Sequence, residues 1–492
     1  MTYHLETAEH PETLRRVAID PVSRVEGHGK VTLLLDEDNK IHQVRLHIVE
    51  FRGFERFIQG RPYWEVPVMV QRLCGICPVS HHLAAAKAMD PIVGAHHLTP
   101  TAEKIRRLMH FGQIMQSHAL HFFHLCSPDL LFGFDSDVAK RNIVGIAERH
   151  PETARQGVLL RKFGQEVIRI TSGKRIHGTG AVPGGVNKLV SLAERDELLK
   201  DVYTMIAWSR DAVKLVKQLH DANPGLYNSF GMCRSNMLSL VGPDGAMDLY
   251  DGKLRARDDA GKLIFDGVAC NQYNQYIEEE VRSWSYMKFP FLQSLGKEHG
   301  WYKVGPLARV QNCDSIPTAF AEHERRDFVE YAGGSPIHAA LAYHWTRMIE
   351  MLHAVEGIKE LLHDPDILSG DLLATGERQQ EGVGVIEAPR GTLFHHYRVD
   401  ENDIVTMCNL IVSTTNNNQA MNESIRHVAK RYLHGHEITE GLLNHIEIAI
   451  RAFDPCLSCA THALGKMPLQ VELLDAEENL IHSLSKGMES AA

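Results

Sequence analysis

No run of about 18 apolar residues occurs anywhere in the 492-residue chain, so the sequence offers no candidate membrane span. Residues 1–16 are polar and acidic and lack the apolar centre of a secretory signal, which leads to the expectation of a cytoplasmic protein with no direct membrane insertion. A basic surplus is also missing. Lys and Arg number 52 against 62 Asp and Glu, a net charge of -10, which removes the electrostatic footprint that nucleic-acid binding needs. Neither a GxGxxG fingerprint nor a GxxxxGK[ST] loop is present; Gly178-Thr-Gly180 and Gly382-Val-Gly384 lack the remaining glycines, so nucleotide binding on this chain is disfavoured. There is no internal repeat, no low-complexity tract and no clear linker. A disulfide framework is lacking too. Nine cysteines is an odd number, and Cys126, Cys233, Cys270, Cys313 and Cys408 stand singly, a pattern that suits a reducing compartment.

The other four cysteines form two pairs at opposite ends of the chain, Cys74-Gly-Ile-Cys77 and Cys456-Leu-Ser-Cys459. A CxxC loop lets two soft thiolates reach one metal, and two such loops facing each other can hold an all-thiolate site or a thiolate-bridged metal pair. Length alone would suggest about three domains. Cooperation between position 74 and position 459 argues instead for one interwoven unit over residues 1–462. The coarse pattern is mainly helical with small sheets. Val31 to Leu35 and Ile41 to Val49 read as a hairpin around the turn Asp36-Glu-Asp-Asn39, which makes residues 20–28 a loop feeding a sheet. Thr99 caps a helix that opens on Pro100 and runs to about residue 125. Further helices are expected over 191–220, 338–362, 419–432 and 440–452, with breaks at 178–185, 221–225 and 364–391 and a terminal hairpin over 468–484.

On spacing alone, a four-cysteine zinc site and an iron-sulfur cluster both remain open for the two pairs. The long separation and the polar neighbours Arg72, His81, Asp454 and His462 favour a site that moves protons. Thirty histidines include the pairs His81-His82, His96-His97 and His395-His396, which have no regular ligand spacing and read as surface or hydrogen-bonded core groups.

Gln71-Arg-Leu-Cys-Gly-Ile-Cys-Pro-Val-Ser-His81 and Asp454-Pro-Cys-Leu-Ser-Cys-Ala-Thr-His462 resemble the two signatures of the nickel-iron hydrogenase large subunit. Arg24-Val-Glu-Gly-His28, Phe51-Arg-Gly-Phe-Glu55 and Glu387-Ala-Pro-Arg-Gly391 extend the resemblance over nearly the whole chain, in the family's order. Pro183-Gly-Gly-Val-Asn187 and Trp284-Ser-Tyr-Met-Lys-Phe-Pro290 are most similar to the soluble, bidirectional, NAD-reducing subgroup. The fold implied is the multihelical one that these subunits share with a scaffold of respiratory complex I, whose members lack the cysteine ligands.

The resemblance implies reversible oxidation of molecular hydrogen, with the proton taken by a nearby base. It makes Cys74 and Cys456 terminal nickel ligands, and Cys77 and Cys459 bridges to an iron carrying carbon monoxide and cyanide. Cys456 is then the first proton acceptor and Glu26 the next relay; without its motif, Glu26 would read as a loop carboxylate in a salt bridge. Arg390 would overhang the open site, with Ala388 and Pro389 lining the pocket of the diatomic ligands and Asp454 as the arginine's neighbour. This chain departs from many relatives in carrying Ser117-His118 where they have an aspartate before the histidine, which puts a proton-base role for Arg390 in doubt. Glu55, His462 and the carbonyl of Leu410 would hold magnesium; outside their motifs Glu55 reads as an exposed acid and Leu410 as a core leucine. Residues 463–492 would be removed after metal loading by a maturation endopeptidase, following metal-insertion chaperones. The implied partners are a diaphorase carrying FMN and NAD, together with a small iron-sulfur subunit. A deazaflavin-linked cytosolic hydrogenase and a hydrogen-sensing regulatory one are the alternatives.

Overall fold

Four long helices pack side by side because each keeps small or apolar residues on its facing sides. Pro100–Leu120 packs on Pro151–Ser172 and on Ala342–His363, and Leu192–Ala222 completes the layer against Ala342–His363. The computed structural model describes residues 13–461 and, as backbone alone, the strands Leu469–Leu474 and Leu480–Lys486. Thr99 caps the first of these helices by accepting from the Ala102 amide, and Pro100 takes the first helical position, as its sequence predicts. The expected end near 125 coincides with a π-helical stretch, His121–Cys126. Gly112 and Gly164 let the first two helices touch: a Cβ on Gly164 would sit 2.7 Å from the Gly112 carbonyl oxygen.

Small sheets surround this layer. The expected hairpin is Gly29–Leu35 paired with Ile41–Ile48, and Arg15–Ile19, within a stretch the sequence left without structure, adds a third antiparallel strand. The helices expected near 419–432 and 440–452 are Asn418–Val428, continued by a π-turn, and Glu440–Ala452. The terminal hairpin is present as an antiparallel pair.

The expected break over 364–391 is half wrong. Glu381–Ala388 is a strand of an antiparallel three-stranded sheet with Gly391–Val399 and Val405–Ile411. Its Gly382 and Gly384 face the helix Pro78–Met89, where added Cβ atoms would lie 1.9 Å from the Ala88 oxygen and 2.1 Å from that of Ala84. The glycines that looked like loop residues let a helix lie on the sheet. That contact matters because the helix begins at Cys77 and the strand leads into Arg390. Among the described residues no helix is long and apolar enough to cross a membrane.

Candidate metal centre

Each cysteine pair is shaped by its own turn. The 3-10 turn Val70–Leu73 delivers Cys74 in an extended conformation, and Cys77 directly precedes the helix that Pro78 opens. Within the loop the amides of Ile76 and Cys77 donate to Cys74 Sγ at 3.2 and 3.1 Å, a geometry that stabilises negative charge on sulfur. At the other end, the helix Glu440–Ala452 stops, Asp454 turns the chain with φ 54, and Leu457–Cys459 forms a 3-10 turn. The loop before the first sheet clamps this turn: the Leu457 amide donates to the Glu26 carbonyl at 2.9 Å. Gly27, with φ 82, allows that approach, since a Cβ there would lie 2.6 Å from the Ser458 nitrogen.

The four sulfurs of Cys74, Cys77, Cys456 and Cys459 lie within 4.8 Å of one another, all buried, with Cys74 and Cys456 3.2 Å apart. Hydrogen bonds from Cys456, then Cys459 and Cys74, hold the Cys77 thiol well below its ordinary range, while burial pushes Cys456 and Cys459 up. Four sulfurs this close cannot all ionise without a bound cation, so the donor set fits a soft transition metal and would release protons on loading.

A cavity of about 10 Å³ adjoins the sulfurs, lined by Cys77, Cys456, Ala388, Pro389 and Arg390, with Thr414 behind. Arg390, 3% exposed, donates to Asp454 Oδ1 at 3.1 Å, while its Nε and Nη1 are buried with no hydrogen-bond partner. Burial opposes the guanidinium charge, but Asp454 and the thiols outweigh it and keep Arg390 cationic. A fixed cation with free donors beside a sulfur cluster suits an anionic ligand or a polarised small molecule.

Behind the cavity lies an ion network that sequence reading missed. Arg309 pairs with Glu350 at 2.5 Å and Glu387 at 2.7 Å, and donates to the Ala388 carbonyl at 2.9 Å. His118 meets Glu350 at 2.8 Å, and Arg347 lies 3.5 Å from Asp454. Burial opposes the charge on Glu350; Arg309 and His118 outweigh it and hold the carboxyl at about 2. Arg347 and Glu350 sit on Ala342–His363, a helix buried on nearly every face, where apolar periodicity hid them; they share it with Glu356, Lys359 and Glu360, so nothing in the sequence set them apart as a network. Ser117, at the departure from the family pattern, has a buried hydroxyl without a partner.

Glu26 is half-buried, not in a surface salt bridge: Cys456 Sγ lies 2.9 Å from its Oε2, and the Ser458 hydroxyl hydrogen-bonds its other oxygen. Glu55 accepts from the Leu410 amide at 2.9 Å and has Lys288 at 3.7 Å. In an antiparallel strand the N–H and C=O of one residue face the same side, so the Leu410 carbonyl opens toward Glu55 as well. His462 lies outside the described residues; Thr461 before it accepts from the amides of Arg52 and Gly53. A second cluster, His121, Cys126 and His344, is buried but suits a cation poorly. His121 Nε2 donates to the Arg451 carbonyl at 2.6 Å, and the charges of Arg347 and Arg390 press on the ring.

Two cysteine pairs closing on one buried cavity beside Arg390 define a four-cysteine group suited to holding a metal through its thiolates. The family described as nickel-dependent hydrogenase matches residues 52–136 and 248–462, and the chain belongs to it, as a large subunit. A HoxL-like family matches residues 16–51. The chain is 49% identical to the NAD-reducing hydrogenase HoxS subunit beta of Cupriavidus necator over 95% of its own length and 99% of the relative's. It is 40% identical to a chain of the F420-non-reducing hydrogenase of Methanothermobacter thermautotrophicus, over 95% of its own length and 99% of that relative's. A crystal structure of an NAD+-reducing nickel-iron hydrogenase in the H2-reduced state superposes with a TM-score of 0.90 at 57% identity, covering 91% of this chain and 99% of the other. The nickel-iron-selenium hydrogenase of D. vulgaris Hildenborough, at 22% identity, TM-score 0.74 and coverage of 91% and 100%, shares the fold.

Proposed function

We propose that the chain is the catalytic subunit of an NAD-linked hydrogenase in which Cys74, Cys77, Cys456 and Cys459 would hold nickel, with Cys77 and Cys459 serving as ligands of iron as well. The observation that carries this reading is the meeting of four buried sulfurs from both ends of the chain at a cavity capped by Arg390. When bound, such a centre supplies redox-active metals that polarise hydrogen and take up its electrons. Ala388, Pro389 and Thr414 line the cavity where the carbon monoxide and cyanide of the iron would sit. Arg390 sets a positive field there, held in place by Asp454. Cys456 takes the proton and passes it to Glu26, whose carboxylate is already in contact with the sulfur.

Glu55, the Leu410 carbonyl and His462 would hold magnesium; a carboxylate and a carbonyl are the hard oxygen ligands that ion prefers. Residues 1–462 form one unit and residues 463–492 are removed by an endopeptidase after chaperone-assisted metal loading. The relative's description as part of an NAD-reducing enzyme, and the lack of a nucleotide motif here, support passage of electrons through a small iron-sulfur subunit to an FMN- and NAD-binding diaphorase in the cytoplasm. Elemental analysis, infrared spectroscopy and intact mass of the purified complex test the reading together. Nickel, bands of iron-bound carbonyl and cyanide, and a polypeptide ending at His462 are expected. Zinc without those bands, or an active chain of all 492 residues, would overturn the corresponding assignment.

A further inference from the structure

The cavity beside the sulfurs is bounded by two distant parts of the chain, and one buried side chain touches both. Ala388, Pro389 and Arg390 form one wall at the end of the strand Glu381–Ala388, while Cys456 stands on the turn that follows the helix Glu440–Ala452. Arg347 lies between them. Its Nη1 donates to the Pro389 carbonyl at 3.3 Å and lies 3.5 Å from Asp454 Oδ2, and its Nη2 donates to the Ala452 carbonyl at 3.4 Å. Each of these contacts is long, so the guanidinium spans a gap and grips no single partner.

Arg347 is itself held from behind. Arg309 donates to both oxygens of Glu350, at 2.7 and 2.5 Å, and Glu350 Oε1 lies 2.8 Å from His118 Nε2. A carboxylate held in that fork accepts, so His118 donates from Nε2 and turns the lone pair of Nδ1 to Arg347 Nη1, 3.4 Å away. Arg309 also steadies the wall directly, donating to the Ala388 carbonyl at 2.9 Å and the Pro389 carbonyl at 3.4 Å. All four side chains are buried, so solvent does not soften these contacts. We propose that Arg347, oriented by His118 and Glu350, is a positioning residue that fixes the separation of Arg390 from the Cys456 turn and so sets the room left in the cavity. Arginine suits this task because its planar fork reaches two carbonyls and a carboxylate at once, which the compact ammonium of lysine cannot. The proposal rests on the reading of Arg390 as the group that faces the reacting hydrogen. An ion pair that only stabilised the fold would behave differently: lysine keeps a charge beside Asp454, and the rate per bound nickel would not change.

The test uses the purified complex with the variants Arg347→Lys, His118→Leu and His118→Gln, and measures nickel content, hydrogen uptake over a series of hydrogen concentrations, and the crystal structure of each. Glutamine supplies one donor for Glu350 and one acceptor for Arg347, the two functions that leucine removes. In Arg347→Lys and His118→Leu, kcat per bound nickel is expected to fall about 10-fold or more while KM for hydrogen stays within about twofold. The crystal structures of both should show the Arg390 guanidinium displaced from its contact with Asp454. His118→Gln should recover most of kcat and restore that contact. Unchanged kcat per nickel in Arg347→Lys, a fall in kcat with Arg390 still in its wild-type place, or equal losses in His118→Leu and His118→Gln would overturn the proposal. A wild-type complex without nickel would instead sink the reading of the metal centre, and the place of Arg390 in the variant crystals would still judge the positioning. If Arg347→Lys does not assemble, the contrast between His118→Leu and His118→Gln carries the same decision.

Discussion

Glu26 is held at the site by its neighbours on both sides: its carbonyl accepts from Leu457, one carboxylate oxygen meets Cys456 Sγ, and the other meets the Ser458 hydroxyl. Glutamine preserves the size and most of these contacts but cannot carry a proton. Glu26→Gln is therefore expected to retain nickel and iron while slowing hydrogen–deuterium exchange by about 10²-fold or more; exchange at the wild-type rate with full metal content would remove Glu26 from the proton path. At this scale the sequence was legible wherever chemistry requires one residue type at one spacing. The four cysteines, Arg390 with Asp454, and Glu55 with Leu410 do come together. Arg309, Arg347, Glu350 and Glu387 were not legible as a network, because pairing between them depends on which faces of a helix and a sheet meet.

Gly112 and Gly164 make a test at the scale of elements. Helix propensity alone favours Gly164→Ala by about 1 kcal/mol. The added Cβ, however, would fall 2.7 Å from the Gly112 oxygen and 2.8 Å from the Gln116 nitrogen, both backbone atoms that cannot swing aside. Overpacking of this kind costs about 1–3 kcal/mol, so the variant should unfold at a lower denaturant concentration than the wild type. A midpoint at or above the wild-type value would show that the helices separate freely at this crossing. Helices with a cap and a periodic face were readable: Thr99-Pro100 marks one start, and 338–362 anticipates Ala342–His363 closely. The strand Glu381–Ala388 was not, since Gly382 and Gly384 have the composition of a loop and only the helix packed on them explains their presence.

Over the whole molecule, burial of many imidazoles ties stability to pH. Burial holds His82, His110, His118 and His353 at about 4, against an ordinary value of 6.5. Between those values the unfolded chain binds protons that the folded one refuses, so stability is full above about pH 6.5 and falls as pH drops toward 4. Each such residue contributes about 1.4 kcal/mol per pKa unit. Glu350, held at about 2, adds a further loss below the ordinary carboxylate range of 4.5. Denaturation midpoints should hold level from pH 7.5 to about 6.5 and then decline to pH 5; a profile flat throughout would mean that these histidines are not buried as neutral groups. The same closure that buries them joins Glu26, Cys74 and Cys456 across the chain, and it brings two distant sequence segments to one four-cysteine group. The most direct measurement is the nickel content of a Cys456→Ala complex beside the wild type. The structure predicts nickel in the wild-type complex, and its loss together with hydrogen uptake in the variant. Full nickel and full activity in Cys456→Ala would contradict a centre built from both ends of the chain.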